Sequence, residues 1–150
     1  MADAQDRSGE DVGEGNGKTG YRDKIEELTL NNTDFRRVLY TGEHIQLVLM
    51  TLKPGEEIGE EVHGDKDQFF PFESGTGEVR INDVANPVED GVAVIVPAGA
   101  KHNVVNTGDE PLTMYTVYGP PDHKDRTVHP TKEQAERDHD NDEYDGKPTE

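Results

Sequence analysis

Between Phe35 and Tyr118 the apolar residues fall in short runs, each closed by turn-forming residues. Phe35–Tyr40 is broken at Gly42, and His44–Leu52 (HIQLVLMTL) is a longer run of β-formers that ends at Pro54–Gly55. Ile58–His63 stops at a Gly64–Asp65 turn. Gln68–Phe72 follows, with Pro71 suited to an edge or a bulge because it brings no N–H to a ladder. Gly75–Gly77 turns the chain into Glu78–Ile81. Asn82–Asp83 and Asn86–Pro87 read as further turns, with Val88 opening a short strand before Asp90–Gly91. Val92–Val96 reads as a buried strand closed by Pro97–Gly99. His102–Asn106 and Leu112–Tyr118, parted by a Thr107–Glu110 turn, complete the series. Strands spaced roughly eight to twelve residues apart, with no helical period between them, predict an all-β sandwich or barrel. One short helix is predicted over Thr131–Asp138 (TKEQAERD), with Thr131 as its cap.

The two ends differ from this middle. Residues 1–20 are rich in Gly and Asp without periodicity, and residues 131–150 are almost free of apolar runs. The expected organisation is a disordered acidic tail over 1–20, one barrel over 21–130, and a short helix with a disordered acidic tail over 131–150. The low hydrophobic share of 30% is thus concentrated where a single core can use it.

Charge sharpens the picture. The net charge is −18; the first twenty residues supply five acids and two bases, the last twenty supply eight acids and three bases. Most of the excess therefore lies on the folded middle. An acidic folded surface suits concentrated salt, where screening reduces self-repulsion, and a salt-loving source is the hypothesis this motivates. The melting temperature is expected to rise between low and molar salt, and a flat response would count against it. The same surface excludes nucleic acid as a partner, since phosphates need basic patches. There is no cysteine, so thiolate metal sites and disulfides are excluded. No apolar stretch reaches the roughly eighteen residues of a membrane span and no leader pattern opens the chain, so a soluble, cytoplasmic protein without a membrane partner is expected.

Six histidines occur, at 44, 63, 102, 123, 129 and 139. Glu61 and His63 are two apart in a strand-like segment, so their side chains share a face, and a carboxylate beside an imidazole is a usual beginning of a divalent-metal site. His44, His123 and His129 read as exposed loop histidines, although Pro120-Pro121-Asp122-His123 has the composition of a segment folding over a barrel mouth.

Two longer frames carry more. The first is Gly55, five residues, Glu61-Val62-His63, four residues, Gln68, six residues, Gly75. The second is Gly91, five residues, Pro97-Ala98-Gly99, two residues, His102, three residues, Asn106. These frames resemble the two motifs of the cupin superfamily over Lys53–Asn106, and the strand pattern extends the resemblance to Phe35–Tyr118. Two positions depart from the family pattern: Glu61 stands where a histidine is usual, and Gln68 where a glutamate is usual. The resemblance implies a double-stranded β-helix (a cupin jelly roll) holding one divalent metal ion, iron, manganese or zinc, on Glu61, His63, Gln68 and His102. Asp67 is the rival to Gln68; Gln68 keeps the six-residue interval to Gly75 and puts Phe70 and Phe72 on the same inward face, where they would line the pocket together with Gln46.

For function the resemblance implies a small-molecule ligand and leaves three readings open. The donor set is similar to that of phosphomannose isomerases, which makes a sugar-phosphate isomerase one reading, with Arg80 and Lys101 as the nearest cations in sequence. A two-His, one-carboxylate set suits oxygen chemistry at a redox metal, which makes a dioxygenase the second. A non-catalytic ligand- or metal-binding cupin is the third. Oligomers are usual among cupins, so a homodimer is also implied; a monomeric mass by light scattering would overturn that.

Overall fold

The computed structural model describes residues 16–150. Its elements run α1 (Ile25–Asn31), β1 (Arg36–Thr41), β2 (Gln46–Leu52), β3 (Glu61–Val62), β4 (Asp67–Ser74), β5 (Thr76–Ile81), β6 (Val84–Glu89), β7 (Ala93–Val96), β8 (Lys101–Asn106), β9 (Leu112–Gly119), β10 (Val128–His129) and α2 (Lys132–Arg137). The strands form two antiparallel sheets, one ordered β10-β1-β2-β9-β4-β7 and the other β3-β8-β5-β6. This is the mostly-β jelly roll expected.

The core lies between the sheets and follows the period of two. Val48, Met50 and Leu52 from β2, Leu112 and Met114 from β9, and Phe70 and Phe72 from β4 meet Val79 of β5, Val88 of β6 and Val104 of β8. Burying each such side chain contributes roughly 1.5–3 kcal/mol, enough to fix the register on the inner faces. Among the described residues, no helix is long and apolar enough to cross a membrane.

Two local expectations are corrected, one is narrowed, and one element was not expected. Asn82–Asp83 is a turn, with φ of 48° and 71°, but Asn86–Pro87 lies inside β6, paired with Val79 and Glu78. β6 ends its sheet, and an edge strand tolerates proline. Pro71 sits in β4 opposite Ala93, one residue before the register shift at Phe72/Ser74. β4 is not an edge, so the bulge is the device that applies. Val92–Val96 is no buried strand: β7 ends the large sheet and Ile95 is 66% exposed. Finally, α1 was not anticipated. It has no side-chain N-cap, and it is seven residues long with Thr29 buried and Thr29 Oγ1 donating to Ile25 O at 2.7 Å. Packing rather than propensity holds it.

The predicted helix is present as α2, with Thr131 Oγ1 accepting from Gln134 N at 3.2 Å. The acidic segment beyond it, expected to be disordered, is instead tied to the barrel. Thr149 N donates to Thr41 O at 2.8 Å, and the Glu150 carboxylate accepts from Thr19 N at 2.6 Å and Tyr40 Oη at 2.6 Å. The disorder expected of the N-terminal tail falls mostly on residues outside the described ones.

Candidate metal centre

Strand register assembles the site. In the small sheet Glu61 pairs with His102, which in turn pairs with Ile81. In the large sheet Gln46, Tyr118, Gln68 and Val96 form one row across β2, β9, β4 and β7. Both rows contribute to one end of the barrel. His63 follows β3 directly, and its ring lies 5.4 Å from that of His102 and 5.8 Å from that of Tyr118.

Glu61, His63 and His102 come together as the frames implied. One ligand atom from each lies within 4.8 Å of the others. His63 Nε2 is 3.3 Å from Glu61 Oε1, and His102 Nε2 is 3.9 Å from it. His102 Nδ1 lies 3.2 Å from Ala100 O, a carbonyl that can only accept, so the ring's proton belongs on Nδ1. That leaves Nε2 as a bare lone pair, and it is buried without a partner.

Gln68 and Asp67 separate cleanly. Gln68 is buried; its Nε2 donates to Thr116 Oγ1 at 3.1 Å and its Oε1 has no partner. Asp67 is exposed and its Oδ1 accepts from Ala98 N at 2.9 Å, bracing the loop before β8. Gln68 therefore offers a free oxygen on the inner face, and Asp67 does not.

The unpaired atoms are the strongest feature of this end. Among the described residues, the buried side-chain N and O atoms without a hydrogen-bond partner are Arg36 Nε, Gln68 Oε1, His102 Nε2 and His123 Nδ1. Each such atom costs about 1–3 kcal/mol, and folded proteins leave few of them. Arg36 and His123 line one cavity with Glu61 and His63, His102 belongs to the cluster, and Gln68 shares a row with Tyr118, whose ring adjoins His63. The donor chemistry fits a divalent ion with N/O ligands: two imidazoles, one carboxylate and one amide oxygen.

Electrostatics agree with that donor set. Burial lowers the His102 pKa and keeps the ring neutral, although the Ala100 bond opposes this. The hydrogen bond that His63 donates to Glu61 raises the His63 pKa against its desolvation, with Asp122 helping. Burial would raise the Glu61 carboxyl, but His63, Arg36 and His102 together hold it below its ordinary value. A cation would replace the His63 proton in this arrangement.

A cavity of about 470 Å³ opens beside the cluster, lined by Glu61 and His63 and by Arg36, Asp122, His123 and Asp142 among others. Its walls differ from those expected. Phe70 and Phe72 are stacked, with centroids 6.3 Å apart, in the closed core and do not line it. Gln46 does not line it either: it is fully buried, and all its groups are used. It donates to Thr41 Oγ1 and His123 O, and accepts from Asp122 N and His123 N. Gln46 is an anchor that draws the Asp122–His123 loop over the barrel end.

That loop supplies what the sequence reading missed. His123 and His129 are buried rather than exposed; only His44 among the three stands in solvent. His123 Nε2 is 3.3 Å from Tyr118 Oη, and Asp142 Oδ2 comes within 3.4 Å of His123 Nδ1 without hydrogen-bond alignment. Asp122 Oδ1 lies 3.7 Å from His63 Nδ1. Burial raises the Tyr118 hydroxyl and lowers His123, so both are neutral. Asp142 and Arg36 carried no local signal: one lies in a tail without periodicity, the other is a charge on a strand's inward position. The Pro120-Pro121 pair was the only hint that the following loop packs inward.

The cupin-domain family model matches residues 48–118, a span that holds both motif frames and all the expected ligands. The chain belongs to the cupin family. The crystal structure of BH2720 from Bacillus halodurans superposes on this cupin with a TM-score of 0.78 at 41% identity, covering 81% of this chain and 97% of that one. The chain is also similar to the uncharacterized protein YrkC of Bacillus subtilis strain 168, 44% identical over 117 residues. The match covers 74% of this cupin and 63% of YrkC, so the chain spans less than two thirds of that relative's length. Protein L612 of Acanthamoeba polyphaga mimivirus, likewise called uncharacterized, is 39% identical over 107 residues, covering 69% of this chain and 67% of that one.

Proposed function

We propose that this cupin binds one divalent cation, iron, manganese or zinc, on Glu61, His63, Gln68 and His102, and that it is a metal-dependent enzyme acting on a small molecule in the adjoining cavity. What supports the reading is the buried, unpaired His102 Nε2 within a preformed Glu/His/His cluster. Such an ion supplies Lewis-acid polarisation of a bound carbonyl or hydroxyl oxygen. The chain's own residues do the rest. Ala100 O orients His102, Thr116 Oγ1 orients Gln68, and Glu61 brings the anionic charge that favours a cation over water.

The cavity favours one substrate class over another. Lys101 is paired with Asp83 on the surface, and Arg80 with Glu78, so neither serves a phosphate. Carboxylates of Glu61, Asp122 and Asp142 line the space instead. A sugar phosphate fits poorly. The aromatic wall that would have favoured an aromatic substrate is closed inside the core. A small polar molecule remains.

The test is metal content by mass spectrometry on untagged protein, beside a Glu61→Ala/His102→Ala double variant. About one equivalent in the wild type and none in the variant is expected, as for a single site of this kind. Absence of metal in both after reloading would overturn the proposal. Affinity should also fall as the pH drops through the raised His63 pKa, because the ion and the proton compete for the same nitrogen; the slope approaches about tenfold per pH unit. An affinity flat with pH would contradict His63 as a ligand.

A further inference from the structure

Arg36 is a buried cation with no described carboxylate at ion-pair distance; Glu61 and Asp142 feel its charge from farther off. It lies on the inward face of β1, paired across the sheet with Met50 and His129, and is only 6% exposed. Burying a charge without an opposite partner is costly, so a buried arginine is normally paired. This one has no ion pair with any described carboxylate, and its Nε has no hydrogen-bond partner. Neither of its side-chain contacts is a carboxylate. Nη1 lies 3.3 Å from His129 Nδ1, whose other nitrogen is held by Asp138 at 3.0 Å, and the guanidinium carbon sits 5.2 Å from the Phe35 ring centroid. Yet Arg36 lines the same cavity as Glu61 and His63.

We propose that the Arg36 guanidinium is a carboxylate-binding subsite, which holds a small monoanionic acid in the cavity with its remaining polar end toward Glu61, His63 and His102. The planar fork of arginine matches a carboxylate in two parallel hydrogen bonds, which a lysine does not reproduce. Arg36 is the one arginine or lysine on a cavity wall that also carries Glu60, Glu61, Asp122, Asp142 and Glu143, so a phosphate dianion meets more repulsion there than a monoanion does. A cavity of about 470 Å³ holds an acid of a few carbon atoms with room for water. The inference deepens the metal-enzyme reading and rests on it for the role of the acid's far end.

The experiment is calorimetric binding to the full chain, metal-free and zinc-loaded, with zinc equivalents measured on every sample. The probes are lactate, its neutral amide lactamide, and inorganic phosphate. Lactate should bind the wild type about ten- to a hundredfold tighter than lactamide, the scale of one charge-assisted pair. Arg36→Gln should abolish that preference, and Arg36→Lys, which keeps the charge and is the safer variant for folding, should weaken it. Equal binding of lactate and lactamide, or full lactate affinity in folded Arg36→Lys, would overturn the proposal. Tighter binding of phosphate than of lactate would overturn the assignment to a carboxylate. Zinc bound without any acid preference defeats the subsite alone. Arg36-dependent lactate binding in a protein that takes up no zinc supports the subsite and defeats the metal reading instead.

Discussion

On the proposed metal-site reading, replacing His102 with leucine is expected to abolish binding of the ion while leaving the metal-free protein as stable as before, or more so. The two effects have opposite signs because His102 is built for a partner rather than for packing. Its Nε2 is buried and unpaired, a burden of about 1–3 kcal/mol that a leucine of similar size does not carry. The substitution also loses the Nδ1 contact with Ala100 O, which contributes about 1 kcal/mol. The balance for the metal-free fold is near zero or favourable. For the ion the loss is one of two imidazoles, so affinity should fall beyond the roughly ten- to hundredfold that follows loss of a supporting group. Thermal melts with and without a chelator, beside a metal titration, read both effects. A variant that keeps the ion, or one whose metal-free melting point collapses, would make His102 a structural histidine.

The sign of the pH response follows from the same cluster. The His102 pKa is lowered by burial, so this group contributes stability above its unfolded value near 6.5 that is lost as the pH falls through the folded one. His63 is shifted the other way by Glu61; its contribution is complete below the unfolded value and is lost as the pH rises through the raised one. In the metal-free protein the two partly cancel.

What the sequence made legible was the part governed by local rules. The turns around β2, β5, β8 and β9 could be placed because Gly, Pro, Asn and Asp act on the chain within a few residues. The pairing of Glu61 with His63 follows from the strand period, and His102 from the spacing frame. The failures share a cause: each depends on which sheet face or edge an element meets. A run such as Val92–Val96 reads alike whether it lies inside a sheet or at its margin. Arg36 alternates in β1 as an apolar residue would, so no pattern separates an inward arginine from an outward one. Gln46 lies on the inward face and still is not a cavity wall, because Asp122 and His123 occupy its hydrogen-bonding groups. Asp142 reaches the cavity only because the acidic segment after α2 returns to the barrel, with Lys124 N donating to its carbonyl at 2.7 Å.

Two glycines of the frames, alike in backbone conformation, are expected to respond very differently to alanine. Gly75 and Gly99 both have φ near +90°, at 89° and 88°. An L residue there costs about 1–2 kcal/mol from the backbone alone. At Gly99 nothing lies within 4 Å of where a Cβ would stand, so that strain is the whole effect. At Gly75 the added carbon would also press on the Pro111 carbonyl and stand 2.8 Å from Leu112 Cα. Both are backbone atoms at the start of β9 and cannot rotate aside, which adds about 1–3 kcal/mol or more of overpacking. Gly77 supplies the remaining case: its φ is ordinary, but a Cβ would press on Val105 O and stand 2.7 Å from Leu112 Cδ2. Urea unfolding of Gly75→Ala, Gly77→Ala and Gly99→Ala should therefore show the largest loss at 75, where conformation and contact act together. Gly75→Ala should lose several kcal/mol out of a total of about 5–15, enough to unfold much of the population at body temperature. If Gly75→Ala and Gly99→Ala lost the same amount, the turn conformation alone would account for both glycines, and the close approach of β9 to the β4–β5 turn would carry no weight in the fold.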